Sequence, residues 1–176
     1  KLRAQLPKIE RVFVLGNDSY EPFIAGEPDT FDWPDLDERT ASALCYTSGT
    51  TGHPKGVLYD HRSTVLHSYG SALVDVMGFS RSDCLLAVVP MFHANAWGLP
   101  YACLMTGAGI VFPGRFMVPD LLAGLIADRQ VTCVGGVPTN LQALLGPLVK
   151  MKDRLGALDR MLCGGSALPP ALQQAY

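Results

Sequence analysis

The stretch Tyr46-Thr47-Ser48-Gly49-Thr50-Thr51-Gly52-His53-Pro54-Lys55-Gly56-Val57 holds three glycines, four serines or threonines and one lysine in twelve positions. The chemistry such a string can do is anion binding. Glycine accepts φ > 0 and lets the backbone approach a ligand closely. Successive N–H groups turned inward form an anion nest. The hydroxyls of Ser48, Thr50 and Thr51 add donors, and Lys55 adds a point charge suited to phosphate. This is not a Walker A loop, which needs Gly, four residues, then Gly-Lys-Ser/Thr. Here Pro54 precedes Lys55, and Gly56 stands where the magnesium-binding hydroxyl would. The physical reading is a polyphosphate cradle.

Three further segments place glycine, proline or a polar side chain at the end of an apolar run. Pro90-Met91-Phe92-His93 carries an imidazole into a charge-poor loop. A neutral His can hydrogen-bond a carboxylate or carbonyl oxygen and change protonation near neutrality. Trp97 follows four residues later. Gly135-Gly136-Val137-Pro138-Thr139 and Gly164-Gly165-Ser166-Ala167 carry paired glycines. A side chain at such positions would occupy ligand space.

The elements that must hold these segments alternate. Strands are expected at residues 9–15, 41–46, 84–89, 110–112, 131–134 and 160–163. The loop 46–57 reads as running from a strand into a helix. Helices are expected at 61–77, with Val65, Leu66, Tyr69, Leu73 and Met77 on one face and Gly78 as the stop, and at 96–105. Pro119 and Pro138 open two more, the latter with Leu141, Leu144, Leu145 and Leu148 along one side. Alternation at this spacing argues for an α/β fold with a doubly wound parallel sheet, whose ligand loops lie at the carboxyl ends of the strands. Residues 48–55, 90–95, 135–139 and 164–167 would then meet at one sheet edge.

Composition narrows the function. A chain of 176 residues can bury a real core, and a net charge of −2 suggests neither nucleic acid nor an anionic membrane as partner. Residues 17–40 carry Glu21, Glu27, Asp29, Asp32, Asp35, Asp37 and Glu38 against Arg39 and read as an acidic linker or surface excursion. Cys45, Cys84, Cys103, Cys133 and Cys163 are widely spaced and odd in number, so buried free thiols are expected rather than zinc or disulfides. Residues 84–114 hold no Asp, Glu, Lys or Arg. That run is long enough to be tested as a membrane span. Pro90, His93, Asn95 and Pro100 split it, however, and a buried strand–loop–helix–strand is the better expectation. The start, Lys1-Leu2-Arg3, shows no signal-peptide pattern and reads like a cut through a longer chain.

Residues 46–57 resemble the phosphate-binding loop of the acyl-adenylate-forming (AMP-binding) superfamily, which includes acyl-CoA synthetases, peptide-synthetase adenylation domains and luciferases. Pro90-Met91-Phe92-His93 resembles the second signature of the acyl-CoA synthetases. Residues 89–101 as a unit resemble medium- and long-chain fatty acyl-CoA synthetases. The resemblance runs from about residue 9 to the end and covers the middle of the family's sequence. It implies an incomplete part of that family's large N-terminal domain. It implies that Thr47, Ser48, Gly49, Thr50, Thr51, Gly52 and Lys55 grip the ATP phosphates and that Gly164, Gly165 and Ser166 pack against adenine. It also implies that His93 lies near the reacting carboxylate, that Trp97 gates an acyl tunnel, and that Gly136, Val137 and Gly165 line the acyl wall.

The reaction implied is attack of a carboxylate on the α-phosphate of MgATP, releasing pyrophosphate, followed by transfer of the acyl group from AMP to the thiol of CoA. ATP, Mg2+ and CoA are the expected cofactors and co-substrates, with the main magnesium ligand outside residues 1–176. A Tyr-Gly-x-Thr-Glu segment, a ribose-binding Asp and a C-terminal domain with the adenylation lysine are expected beyond Tyr176, so the chain alone should not turn over. A cytoplasmic enzyme follows from the resemblance, with peripheral membrane contact and a homodimer both compatible with it. No Asp or Glu lies between Asp83 and Asp120 or between Asp128 and Asp153. An amino-acid substrate would need a carboxylate for its ammonium, so a neutral apolar acid is expected. Each buried methylene contributes about 0.8 kcal/mol, which limits discrimination between neighbouring chain lengths to ~10-fold without a hard stop. A broad fatty-acid preference is the expectation. An aryl or short-chain ligase and a non-catalytic membrane-associated protein are the alternatives.

Overall fold

The computed structural model describes residues 5, 8–13, 20–47, 52–115 and 117–176. The chain divides into two compact units, residues 1–36 and 37–176. In the first, α1 (Glu21–Ile24) is a single turn. Phe13 stacks on Phe23 with centroids 4.5 Å apart, and Arg11 lies over the Phe23 ring. Residues 9–13 form no strand, against the expectation, and residues 14–15 lie outside the described residues. The acidic side chains Glu21, Glu27, Asp29, Asp32 and Asp35 are all exposed.

The second unit is built on a four-stranded parallel sheet of order β4-β3-β5-β6. Its strands are β3 (Cys84–Ala87), β4 (Gly109–Val111), β5 (Cys133–Gly136) and β6 (Arg160–Cys163). Side chains alternate across a strand, so consecutive residues of β3 and β5 feed opposite faces. Leu86 and Val134 join Leu122, Ile126, Leu144 and Leu148 on one face. Leu85 and Cys133 join Phe79, Leu99, Ala102 and Cys103 on the other. Both faces are covered, which is why 84–89 reads as one continuous apolar run. Helices α5 (Pro119–Asp128) and α6 (Pro138–Lys150) start at their prolines and pack together over the first face. Helix α4 (Leu99–Thr106) covers the second. The expected doubly wound α/β sheet is present. Among the described residues no helix is long and apolar enough to cross a membrane, and the uncharged run folds as β3, a turn, α4 and β4.

Two expectations are corrected here. The segment 46–57 does not run from strand to helix. It joins β1 (Ala41–Thr47) to β2 (Lys55–Asp60) in a separate antiparallel hairpin, with Tyr46 opposite Gly56 and Thr47 opposite Lys55. A Cβ on Gly56 would stand 3.2 Å from Leu44 Cδ1 and 3.5 Å from Tyr46 Cζ, so the glycine makes room for the facing ring. Helix α2 (His61–Ala72) begins only after β2, where Asp60 accepts a 2.6 Å bond from the Ser63 N–H and Ser63 Oγ accepts from the Asp60 N–H. This capping holds the Asp60 carboxyl below its ordinary pKa, chiefly through Ser63.

The second correction is the face of α2. Val65, Leu66, Tyr69 and Leu73 are 48–62% exposed, and the helix ends at Ala72 rather than Met77. The buried residues are Ser68 and Ser71, whose hydroxyls return to the carbonyls of Thr64 and His67 at 2.9 Å. Helix α2 packs against α4. Gly78 is therefore not the helix stop; it closes the turn that follows α2, with φ +63° and its N–H bonded to the Leu73 carbonyl.

Candidate active site

The loops after β3, β5 and β6 share the carboxyl edge of the parallel sheet. The fourth expected loop follows β1, a strand of the separate two-stranded sheet, and its residues 48–51 lie outside the described residues. One hydrogen bond links the two parts: the buried Cys45 thiol of β1 donates to Asn95 Oδ1 at 3.2 Å.

Asn95 belongs to an unusual segment. The expected helix 96–105 is interrupted, because α3 (Ala94–Trp97) is a left-handed turn and α4 starts only at Leu99. Ala94, Asn95, Ala96, Trp97 and Gly98 have φ of 46°, 52°, 52°, 58° and 69°. A left-handed backbone costs an L-residue ~1–2 kcal/mol, so the four non-glycine residues together carry about 4–8 kcal/mol. Such a turn persists only where its surroundings over-determine it. Ala96 is fully buried, Trp97 packs on the cluster of Phe79, Leu85 and Leu99, and the His93 and Asn95 carbonyls accept from Ala96 and Gly98 N–H at 3.0 Å.

The turn delivers the Trp97 indole to the end of β6. A Cβ on Gly164 would lie 3.1 Å from Trp97 Cη2, and one on Gly165 would lie 3.2 Å from Val137 Cγ1. Gly164 N–H donates to the Gly136 carbonyl at 3.3 Å. The sequence-nominated residues Trp97, Gly136, Val137, Gly164 and Gly165 therefore meet at one place. Ser166 is exposed beside them.

Two cavities flank the indole. One, of about 430 Å³, is lined by Tyr59, Thr64, His67, Asn95, Trp97 and Tyr101, among others. The other, of about 470 Å³, takes Met77, Met161, Cys163 and Gly164 together with His67 and Trp97. Neither lining contains an Asp or Glu. His67, Tyr59, Tyr101 and Met77 escaped the sequence reading. They come from segments far apart in the chain, and each had a bland structural role open to it.

Of the nominated residues, Trp97, Gly164 and Gly165 line a cavity, while Gly136, Val137 and Ser166 line neither. His93 is exposed at the sheet edge and lines neither. Thr47 and Lys55 face each other at the mouth of the hairpin, both exposed, with Thr47 Oγ1 3.5 Å from the Lys55 carbonyl oxygen. Gly52, with φ +84°, holds a conformation that favours glycine. Ser48, Gly49, Thr50 and Thr51 lie outside the described residues. Lys55 could reach a phosphate, and the bare edge at Gly164 and Gly165 could take a flat ring. Among the described residues no group of three His, Cys, Asp or Glu could hold a metal ion, so no magnesium site is assigned to them.

Comparison with known proteins gives a consistent picture. The family model described as AMP-binding enzyme matches residues 2–176. A 3-methylmercaptopropionyl-CoA ligase of Ruegeria pomeroyi is 49% identical over 183 residues, covering 97% of this chain and 34% of the relative. A medium-chain-fatty-acid–CoA ligase of Ectopseudomonas oleovorans is 42% identical over 188 residues, covering 100% of this chain and 34% of the relative. The chain thus spans about a third of the length of the curated relatives it matches. Among solved structures, an anthranilate CoA ligase in complex with anthranoyl-AMP superposes with a TM-score of 0.82 at 26% identity, over 99% of this chain and 35% of that one.

Proposed function

The chain belongs to the AMP-binding enzyme family, and on that premise we propose that the protein is an AMP-forming acid–CoA ligase, to which residues 1–176 contribute the phosphate hairpin and the acid pocket as part of its large N-terminal domain. The observation that carries the reading is the meeting of Trp97, Gly164 and Gly165 around a cavity free of carboxylates, with Val137 packed against Gly165. ATP and CoA are its co-substrates and cytoplasm its compartment.

The chemistry proposed has two steps. A carboxylate oxygen of the acid attacks the α-phosphorus of ATP, the bond to the bridging oxygen breaks, and pyrophosphate leaves. The CoA thiolate then attacks the acyl carbon, and AMP leaves with the carboxylate oxygen. The first step brings two anions together, so its barrier falls when charge is neutralised and the attack is aligned. Thr47, Ser48, Gly49, Thr50, Thr51, Gly52 and Lys55 are assigned to the ATP phosphates, and His93 to the acid carboxylate. Gly164, Gly165 and Ser166 are assigned to adenine, and Trp97, Gly136, Val137 and again Gly165, at the junction of the two, to the acid chain. Magnesium, when bound with ATP, screens the phosphates.

For the acid we propose a neutral apolar chain, a fatty acid in the first instance. A second reading has specific support. Relatives 49% and 52% identical are named for 3-methylmercaptopropionate, and Met77, Met161 and Cys163 line the second cavity with polarisable sulfur. Acid-dependent ATP–pyrophosphate exchange by the full-length protein separates the readings. Octanoate and palmitate should support exchange, with a chain-length profile altered by Trp97→Ala. Exchange confined to 3-methylmercaptopropionate, acetate or benzoate would discard the fatty-acid assignment, and no exchange with any acid would sink the adenylation reading.

A further inference from the structure

His67 and Trp97 are the two residues that line both cavities. Trp97 is their partition, and His67 stands where it can hold that partition. The imidazole lies so close to Gly98 that a Cβ there would be 2.8 Å from His67 Nδ1 and 2.9 Å from Cε1. Gly98 is the last residue of the left-handed turn and follows Trp97 directly. On its other side the indole edge rests on Gly164, again with no room for a methyl group. A side chain on α2 therefore braces one end of the turn, and the Cys45–Asn95 hydrogen bond braces its middle.

We propose that His67 is a positioning residue of the acid pocket. Braced on Gly98, its ring keeps the Trp97 indole as the wall between the two cavities, and so sets the length of acid chain that the protein accepts. This rests on the acid-ligase reading above. With the wall in place an acid chain is confined to the cavity at Met77, Met161 and Gly164. Removing the imidazole frees space beside Gly98, lets the turn relax toward ordinary backbone, and leaves the indole without a fixed seat. The two cavities then join, and longer chains gain relative to short ones.

The test is a chain-length series on the full-length protein, reading kcat/KM for octanoate against butyrate. His67→Ala should shift that ratio toward octanoate by about 10-fold, the scale on which an apolar pocket discriminates small differences in chain, and leave KM for ATP unchanged. His67→Phe, which restores a flat ring beside Gly98, should return the ratio. On a Trp97→Ala background His67→Ala should change the ratio no further, because it acts through the indole. An unchanged ratio in His67→Ala, or the same shift on the Trp97→Ala background, overturns the proposal. A readout independent of activity keeps the two readings apart. The protein has two tryptophans, and with Trp33→Phe the emission of Trp97 is isolated. Acrylamide quenching of Trp97 should rise in His67→Ala and recover in His67→Phe; quenching that does not move overturns the positioning role even if no acid supports exchange.

Discussion

Arg160 allows a quantitative test of how the site is anchored. Its guanidinium pairs with Asp83 and donates to the carbonyls of Met77 at 2.6 Å and Gly78 at 3.2 Å. It thus ties the first residue of β6 to the segment that carries Met77 into the second cavity. Asp83 is 8% exposed and also accepts from Ser80 N–H at 2.7 Å, Ser80 Oγ at 3.0 Å and Thr132 Oγ1 at 2.9 Å. Arg160→Met keeps the apolar stem and deletes the charge. Stranding one partner of a fully buried pair costs ~3–5 kcal/mol. Here the Arg160 side chain is 27% exposed and Asp83 keeps its other donors, which lowers the expectation to about 2–3 kcal/mol. With a urea m-value of ~2 kcal/mol/M, the unfolding midpoint should fall by roughly 1–1.5 M. Adding Asp83→Asn should cost less than the sum of the single effects, by about 1 kcal/mol, since the stranded charge is gone. A loss below ~0.5 kcal/mol for Arg160→Met, or strict additivity in the double variant, would refute the reasoning.

The same carboxylate sets an acid limit. Burial pushes the Asp83 carboxyl up, but the bonds from Ser80 and Thr132 and the charge of Arg160 outweigh it and hold it below its ordinary value. Its contribution to stability is therefore complete above the unfolded pKa of ~3.9 and is lost as pH falls through the lower folded value. Thermal midpoints measured from pH 6 downward should stay level and then drop below about pH 4, with a shallower drop in Asp83→Asn; parallel curves would count against it. Burial pushes the Cys103 thiol up to about 11 and the Cys133 thiol up to about 12. Both should resist iodoacetamide at pH ~8 in the folded protein and react in urea, as read by mass spectrometry of the labelled peptides.

Much of the frame is legible in the order of residues, because its signals are local. The run from Cys84 is apolar at every step since β3 has no solvent face, with Leu85 and Leu86 both fully buried. Pro119 and Pro138 open helices because a first helical position has no N–H to lose. The glycine pairs at 135–136 and 164–165 mark strand ends where another group comes within contact of the backbone, as Leu99 does at Gly135 and Trp97 at Gly164.

Other features depend on partners that the local sequence does not contain. Strand β2 exists because it pairs with β1, and Lys55-Gly56-Val57-Leu58-Tyr59-Asp60 carries no clean alternation of its own. The periodic face of α2 shows which residues could be buried. The tertiary structure buried Ser68 and Ser71 instead and left Val65, Leu66 and Tyr69 exposed. Nothing in Ala94-Asn95-Ala96-Trp97 foretells a left-handed turn, because its local cost is unfavourable and only contacts from β1, α4 and the core offset it. The glycine, hydroxyl and lysine content of residues 46–57 and the lack of carboxylates between Asp83 and Asp120 are set by residue type and spacing alone. Which side chains line the cavity beside Trp97 was decided by packing, because His67, Met77, Trp97 and Gly164 become neighbours only when the chain closes on itself.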